Sequence, residues 1–426
     1  MFSVFARRCR STTPRPCRFS RRRFSAQRAL WRWGATDAEV PEVSRTPQVV
    51  PEGVNASAIA CGPTHSAFVV DGQLYSYGSN RHSKLGRADS DGSERSPQPV
   101  LVEASDGHRP AVASIALGGN HSAAITEGGV LWTWGYGGSL WHGAGGCGQG
   151  RRGEVSRPEM VMPFVSQGIE VSQVACGDLH TLVLDRQGRV HSTGQGIHGV
   201  LGRGGLASTG EELDFQEVVY FRKTTDSIMA PGLEPQIIKL DAGREFSAAM
   251  SSHGELWVWG RNDYGQLGMG FEVMKDRDFC MKYPFLMRQL PMEGHVFRDF
   301  ACGDRHMVAV TTAGAIYEWG DRRNFEPTAI TLPSRYQEGL KGVWKVAAGE
   351  GYSFALTLSG ELYSWGRPLS GCLALPSDAD ADSRDARDPL VPRPQRVPFE
   401  VFGGGDVRVL DIAASKQRCL AITESG

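Results

Sequence analysis

The stretch ACGPTHSAFVVDGQLYSYG (residues 60–78) carries a pattern that recurs along the chain. Apolar β-forming residues run up to Asp71-Gly72, a strong two-residue turn signal, and a second alternating strand follows as far as Gly78. Upstream, Gly62 comes after two small residues, as expected for a tight turn at the end of a buried strand. One copy of the pattern therefore predicts a small antiparallel β-sheet.

The pattern is complete in six copies and split in a seventh. In each complete copy the closing glycine lies six residues after the turn glycine; the pairs are Gly72 and Gly78, Gly129 and Gly135, Gly188 and Gly194, Gly254 and Gly260, Gly314 and Gly320, and Gly360 and Gly366. A further copy reaches its turn glycine at Gly426, where the sequence stops before the expected strand. Residues 29–34 (ALWRWG) supply six residues that end in a closing glycine.

These copies predict a ring that is closed by its two ends. Each small sheet has an apolar face that it cannot bury alone, and such repeats stack around an axis as a β-propeller. We therefore expect an all-β, seven-bladed β-propeller in which the strand 29–34 pairs with the C-terminal blade. Closure removes the open sheet edge that would invite aggregation. The residues expected to close the ring are Leu30, Trp31, Trp33, Gly34 and Gly426.

Residues 1–24 differ from the rest of the chain in charge. They hold eight of the 46 basic residues and none of the 47 acidic ones. Such a terminus is typical of a cleavable mitochondrial targeting peptide, and the sequence Arg22-Arg23-Phe24-Ser25 resembles a processing site with cleavage after Phe24. We therefore expect delivery to the mitochondrial matrix and a single propeller domain over 25–426. The alternatives are a nuclear-import cluster or a disordered arm that binds nucleic acid.

Cleavage would also change the overall charge. Without residues 1–24 the chain has 38 basic and 47 acidic residues, a net charge of −9, which opposes non-specific binding to DNA.

No apolar run approaches the roughly 18–20 residues that a membrane-spanning helix needs. The odd number of cysteines, nine, is scattered along the chain and indicates reduced thiols rather than a disulfide framework.

Two repeat positions hold histidine or cysteine, residue types that can bind metal ions or act in catalysis. One is histidine in four copies, but those copies belong to four blades, so the side chains lie too far apart to share a metal ion. We expect each histidine to make a structural hydrogen bond within its blade. The other position is cysteine in three copies and Leu or Ala elsewhere, which indicates a small buried residue. These residues are His65, His121, His180 and His306, and Cys61, Cys176 and Cys302.

No motif indicates a catalytic site, a metal site or a cofactor. The letters G-x-G-x-x-G occur at 143–148, but no amphipathic helix follows, as a dinucleotide-binding motif would require. The chain also lacks a phosphate-binding G-x-x-x-x-G-K-[ST], a G-x-S-x-G and an H-E-x-x-H sequence. We therefore expect no enzymatic activity of its own and no cofactor.

The copy LWVWGRNDYGQLGMG (256–270) resembles the repeat of the regulator-of-chromosome-condensation family, and YSYGSNRHSKLG (75–86) is a weaker form. The resemblance covers roughly residues 29–426 and implies four-stranded antiparallel blades. Members of that family include a nucleotide-exchange factor for the GTPase Ran, ultraviolet receptors, ubiquitin-ligase modules and mitochondrial forms linked to ribosome assembly. The receptors' Gly-Trp-Arg-His-Thr repeat is absent here, and most tryptophans occupy strand positions, which indicates packing.

The segment 206–235 is the best candidate for a partner-binding loop. It exceeds the minimal repeat and carries an acidic cluster followed by aromatic residues, a plausible contact surface on a rigid ring. The alternative is that 218–221 forms an ordinary outer strand. The candidate partner-binding residues are Glu211, Glu212, Asp214, Glu217, Tyr220 and Phe221.

The resemblance and the leader together suggest a function without catalysis. We expect a mitochondrial protein-interaction propeller that acts in mitochondrial ribosome assembly or association. The alternative is a guanine-nucleotide exchange factor for a small or dynamin-like mitochondrial GTPase, with 206–235 as the inserted wedge. Direct RNA contact is allowed but no motif indicates it, and no DNA partner is expected.

Overall fold

A computed structural model shows that the repeating pattern folds into seven four-stranded antiparallel sheets. The structure describes residues 28–35, 43–88, 92–140, 143–204, 211–224, 226–227, 232–270, 280–287, 296–330, 342–367, 369–376, 390–405 and 407–425. The predicted targeting segment 1–24 and the predicted closure residue Gly426 lie outside these ranges.

Each sheet is one blade, and its strands follow one another from the central axis outward. Blades 1 to 3 comprise β3 (Ala56–Cys61), β4 (His65–Val70), β5 (Gln73–Ser79) and β6 (Ser93–Val100); β7 (Val112–Leu117), β8 (His121–Thr126), β9 (Leu131–Tyr136) and β12 (Glu154–Met160); and β13 (Val171–Cys176), β14 (His180–Asp185), β15 (Val190–Gln195) and β16 (Glu211–Glu217). Blades 4 to 6 comprise β17 (Ile237–Ala242), β18 (Phe246–Ser251), β19 (Leu256–Arg261) and β20 (Cys280–Leu286); β21 (Phe297–Cys302), β22 (His306–Thr311), β23 (Ile316–Gly320) and β24 (Asn324–Ala329); and β25 (Val343–Ala348), β26 (Tyr352–Thr357), β27 (Leu362–Gly366) and β28 (Val391–Arg396).

Blade 7 combines both ends of the chain. Its strands, from the axis outward, are β29 (Val407–Ser415), β30 (Arg418–Ser425), β1 (Arg28–Ala35) and β2 (Val43–Val50). The connections add a short hairpin of β10 (Gly138–Ser139) and β11 (Gly143–Ala144), and the helices α1 (Met162–Gln167) and α2 (Tyr220–Lys223).

The hairpin turn of the quoted stretch has the geometry that its sequence predicts. Asp71 and Gly72 have φ angles of 48° and 78°, so both central residues of the turn are left-handed, as in a type I′ turn. The turn sets the register in which Val70 pairs with Gln73 and His65 pairs with Gly78. The glycine spacing therefore reports the length of the second and third strands of a blade.

The predicted closure of the ring by the strand 29–34 is confirmed. Strand β1 pairs antiparallel with β30, with Leu30 opposite Ile422 and Trp33 opposite Cys419. Both Leu30 and Trp33 are fully buried, and the Trp33 indole N–H donates to the Cys372 carbonyl at 2.7 Å. The N-terminus also supplies β2, which the sequence analysis did not anticipate, so blade 7 takes two strands from each end.

The innermost strands of all seven blades surround a central cavity of about 280 Å³. Ion pairs join neighbouring inner strands there, from Lys239 to Asp299 and from Lys345 to Asp411. The Asp299 carboxylate also accepts the Val346 backbone N–H at 2.8 Å, which links a third blade. Because inner strands of different blades share no sheet, these side-chain bonds help to join blades 4 to 7 at the axis.

Candidate functional site

The segment 206–235, predicted to be a partner-binding loop, contains an outer strand and a short helix. Glu211–Glu217 forms β16 at the edge of blade 3, and the chain then enters α2 at Tyr220. Position 218, suggested as part of an outer strand in the alternative, follows the end of β16, and Val218 is buried. Glu211, Glu212 and Glu217 therefore lie opposite residues of β15, whereas Asp214 falls in the irregular part of the pairing, and residues 205–210 lie outside the described part.

Ion pairs offset much of the acidic character of β16. Glu212 lies 3.6 Å from Arg203, and Glu217 lies 2.6 Å from Arg222. Asp214 is exposed and forms an isolated antiparallel bridge with Gln149 of blade 2. The Glu211 side chain lies outside the described part of the chain. The strand thus presents Asp214 outward between two carboxylates that already have partners.

The two aromatic residues of the candidate set differ in their surroundings. Phe221 is buried and packs edge-on against Trp257 and Trp259 of blade 4, with ring centroids 5.8 and 6.0 Å apart. Tyr220 is half-buried and its ring lies 5.9 Å from that of Tyr283, which is 49% exposed. Phe221 therefore anchors α2 to the next blade, whereas Tyr220 and Tyr283 place aromatic rings at the surface beside α2.

The four histidines of the repeat bond between blades, so the expectation of a bond within each blade is wrong. Each Nε2 lies close to a hydroxyl oxygen at the second position of the next blade's second strand. The pairs are His65–Ser122 (2.8 Å), His121–Thr181 (2.7 Å), His180–Ser247 (3.0 Å) and His306–Ser353 (3.0 Å). Neighbouring second strands approach one another here, which places the partner one repeat further along the chain.

The hydroxyl partners fix the protonation of these histidines. The Ser122, Thr181 and Ser247 hydroxyls donate to backbone carbonyls, at 2.7, 2.6 and 2.8 Å, so each must accept its second bond from an Nε2–H group. Burial lowers the pKa of His121 to about 4, and burial together with the nearby His121 lowers the pKa of His180 to about 3. The rings are therefore neutral donors near pH 7, which is a structural role and not an acid–base one.

Blade 5 uses a carboxylate where most of the other blades use a backbone carbonyl. In most blades the long connection between the third and outer strands offers a carbonyl to a tryptophan of the next blade, as Val200 does to Trp259 at 2.7 Å. In blade 5 that connection is only residues 321–323. There the Glu318 side chain accepts both the Ser353 hydroxyl at 2.8 Å and the Trp365 indole N–H at 3.2 Å.

Removal of this carboxylate should destabilise the junction of blades 5 and 6. Glu318→Ala leaves two buried donors without an acceptor, and each such loss costs about 1–3 kcal/mol. We expect the free energy of unfolding to fall by about 3 kcal/mol in urea titrations. Glu318→Gln keeps an amide oxygen in place and should lose less than about 1 kcal/mol. Equal losses in the two variants would contradict this role.

The three repeat cysteines line the central cavity. Cys61, Cys176 and Cys302 are free thiols among its lining residues. Burial raises the pKa of Cys61 and of Cys176 to about 12, so both remain protonated and unreactive near pH 7. Among the described residues, no three His, Cys, Asp or Glu side chains are grouped closely enough to hold a metal ion.

The glycine-rich segment 143–148 packs between blades 2 and 3. A Cβ atom at Gly146 would lie 2.2 Å from the His121 ring, so only glycine fits there. The carbonyl of Gly146 accepts the Thr181 hydroxyl at 2.6 Å, as part of the histidine pairing. The glycines of this loop are therefore explained by close packing of the backbone.

Within the described residues, no helix has the length and apolar character to cross a membrane.

Comparison with known proteins identifies the repeat. A family model described as an RCC1-like domain matches residues 29–326. The chain is 31% identical over 350 residues to the E3 ubiquitin-protein ligase HERC2 of Mus musculus, over 78% of this chain and 6% of that protein. It is 31% identical over 216 residues to the Arabidopsis thaliana RCC1 domain-containing protein RUG3, mitochondrial, over 50% of this chain and 44% of that protein.

A solved structure shows the same fold. The crystal structure of Prp20p from Saccharomyces cerevisiae superposes with a TM-score of 0.73 at 21% identity, over 94% of this chain and 92% of that one. In contrast, the chain spans less than half the length of HERC2 and of RUG3. The likeness to those two relatives therefore concerns the propeller and not the rest of either protein.

Proposed function

The chain belongs to the RCC1-like domain family, and on that premise we propose that it is a non-catalytic protein-interaction propeller of the mitochondrial matrix. The observation that carries the compartment is the leader, with eight arginines and no acidic residue in 1–24. The mitochondrial relative RUG3, at 31% identity, supports it. A rigid ring, closed by its own termini and joined by buried polar pairs between blades, suits presentation of outer strands and loops to partners.

The partner that we propose is the mitochondrial ribosome or its assembly factors. The surface that we propose for contact is β16 with its exposed Asp214, together with Tyr220. A net charge of −9 after removal of the leader favours a protein partner over non-specific contact with RNA phosphates.

Affinity purification of the tagged full chain from isolated mitochondria, with quantitative mass spectrometry, tests this proposal. Co-enrichment of ribosomal proteins and assembly factors, without one dominant GTPase, is the expected result. A chain deleted for 1–24 should stay outside mitochondria in an import assay and co-purify none of them. Import of that deleted chain, or absence of ribosomal components from the intact chain, would refute the proposal.

A second candidate is exchange activity on a GTPase. Prp20p, which shares the fold, was studied for its binding to Gsp1p and histones. An exchange factor needs an element that enters the nucleotide site, and the element we propose is the segment 206–235, whose candidate acidic residues lie on β16. Reversing the charges of Glu211, Glu212 and Asp214 should then abolish nucleotide release from the co-purified GTPase. Unchanged release by that variant would exclude β16 as the wedge.

A further inference from the structure

The innermost strands of the blades share one exposed position, which is the second residue of each strand. In blades 1 to 3 this position holds a small side chain, and the residues are Ser57, Ala113 and Ser172. In blades 4 to 7 it holds a large side chain, and the residues are Ile238, Arg298, Trp344 and Arg408. All seven residues are exposed, so packing does not explain the large side chains of blades 4 to 7.

Trp344 differs from the other tryptophans that the structure describes. It is 38% exposed, whereas the others are buried or, for Trp31, half-buried. Leu358, which is 63% exposed, lies at the same end of blade 6, because its backbone N–H donates to the carbonyl of Gly342 at 3.0 Å. This end of blade 6 therefore carries an exposed apolar patch that consists of Trp344 and Leu358.

Two arginines of the neighbouring blades reach toward this patch. Arg298 of blade 5 donates to the Val343 carbonyl at 3.4 Å. Arg408 of blade 7 donates to the Leu358 and Ser359 carbonyls at 3.0 and 3.1 Å. Among the described residues, neither arginine has a carboxylate within ion-pair distance. The backbone bonds hold the two guanidinium groups in place, and each group keeps N–H donors for an acceptor from outside.

We propose that this end of blade 6 binds an acidic segment of a partner protein that carries an apolar side chain near its carboxylates. The apolar side chain would cover Trp344 and Leu358, and the carboxylates would accept hydrogen bonds from Arg298 and Arg408. Tryptophan and arginine are the residue types that most often dominate the energy of protein interfaces. Guanidinium groups that are already held by backbone bonds lose less freedom on binding.

The composition of the patch favours a protein segment over single-stranded nucleic acid. Successive bases stack on successive aromatic rings, but the residue beside Trp344 is the aliphatic Leu358. The inference rests on the proposed interaction function, and it adds a second contact surface to that of β16, three blades away along the ring.

The test uses the full chain and defined peptides. The probe is a fluorescein-labelled nine-residue peptide with three repeats of Glu-Glu-Leu, and its controls replace every leucine by serine or every glutamate by lysine. The serine peptide has the same charge as the probe and so measures any binding to the basic leader. Trp344→Ser introduces the residue type that blades 1 and 3 have at this position, and Leu140→Ser removes an exposed leucine of blade 2 as the matched control.

We expect wild type and Leu140→Ser to bind the leucine peptide alike, and Trp344→Ser to lose about thirtyfold in affinity, as for a central residue of an interface. The leucine peptide should also protect wild type, but not Trp344→Ser, from quenching of tryptophan fluorescence by acrylamide. The double variant Arg298→Gln with Arg408→Gln keeps N–H donors for the carbonyls but removes both charges. It should bind the leucine peptide about tenfold more weakly than wild type.

Three results would overturn the proposal. They are equal affinity of Trp344→Ser and wild type for the leucine peptide, equal affinity of wild type for the leucine and serine peptides, and displacement of the leucine peptide by a nine-nucleotide oligouridylate that binds more tightly. In mitochondria, a Trp344→Ser chain that keeps all wild-type partners would reject this patch while leaving the interaction function intact. An intact chain that recovers no partner would instead refute the interaction function.

Discussion

Deletion of residues 25–36 should abolish cooperative folding of the ring, whereas deletion of 1–24 should leave the melting temperature unchanged. The first deletion removes β1, which carries the buried Leu30 and Trp33 and joins β30 to β2. Truncation of a buried tryptophan or leucine alone costs about 2–5 kcal/mol. The loss of both, with two strand pairings, is comparable to the 5–15 kcal/mol that stabilises a typical domain.

Thermal melts followed by circular dichroism would measure this difference. We expect the 25–36 deletion to lower the midpoint by more than about 15 °C or to yield no transition. Trp33→Ala keeps the strand but loses the indole ring and its bond to the Cys372 carbonyl. Its melting midpoint should lie between those of the two deletions. Identical melting curves for the two deletions would show that closure contributes nothing to stability.

Acid should destabilise the propeller through its histidine pairs. The pKa of His121 falls from 6.5 to about 4 on folding, and that of His180 to about 3. Between these limits the unfolded chain binds more protons than the folded one, so the free energy of unfolding falls as the pH is lowered. The slope is at most about 1.4 kcal/mol per pH unit for each histidine. The shift of His121 alone should lower the free energy of unfolding by about 3 kcal/mol at pH 4. The pKa values of His65 and His306 are also lowered on folding, so these residues act in the same direction.

Urea unfolding at pH 7.5, 6.0 and 5.0 would measure the slope. The chain itself supplies a matched control, since the corresponding pair between blades 4 and 5 is Phe246 and Met307, both buried and apolar. The double variant His180→Phe with Ser247→Met copies that pair into blades 3 and 4. It should fold at pH 7.5 and lose about one histidine's share of the slope. A slope equal to that of wild type would show that His180 does not contribute.

The ring could be predicted from the sequence because its glycines mark fixed geometry. The left-handed turn at Asp71-Gly72 tolerates few other residues, so the spacing from each turn glycine to its closing glycine survives in every complete copy. That spacing was enough to join 29–34 to the C-terminus. The outer strands were harder, because a three-residue irregularity breaks the alternation by which a strand is recognised. Strands β2 and β16 were missed for this reason.

The partners of the histidines were missed for a different reason. A hydrogen bond was sought inside the copy that holds each histidine, but the bond crosses to the following copy, 57 residues on for His65. The bonded partner of each histidine can be recognised when adjacent copies of the repeat are compared. Where the first position is apolar Phe246, the second position of the next copy is apolar Met307, and Tyr352 bonds to Cys419 at 3.3 Å. The residue type at the first position therefore matches the residue type at the second position of the next copy.

The composition of blade 7 determines when folding can finish. Its strand β1 is among the first described residues and pairs with β30, so Trp31 bonds to Thr423 across 392 positions of sequence. Any process that delivers the chain from its N-terminus, such as synthesis or threading through a membrane pore, releases β1 long before its partner. During that interval β1 can pair only with β2, and Leu30, Trp31 and Trp33 lack the rest of blade 7 to pack against. Blades 1 to 6 can form in order of arrival, but β1 and β2 must wait, shielded from other chains, until the last segment emerges.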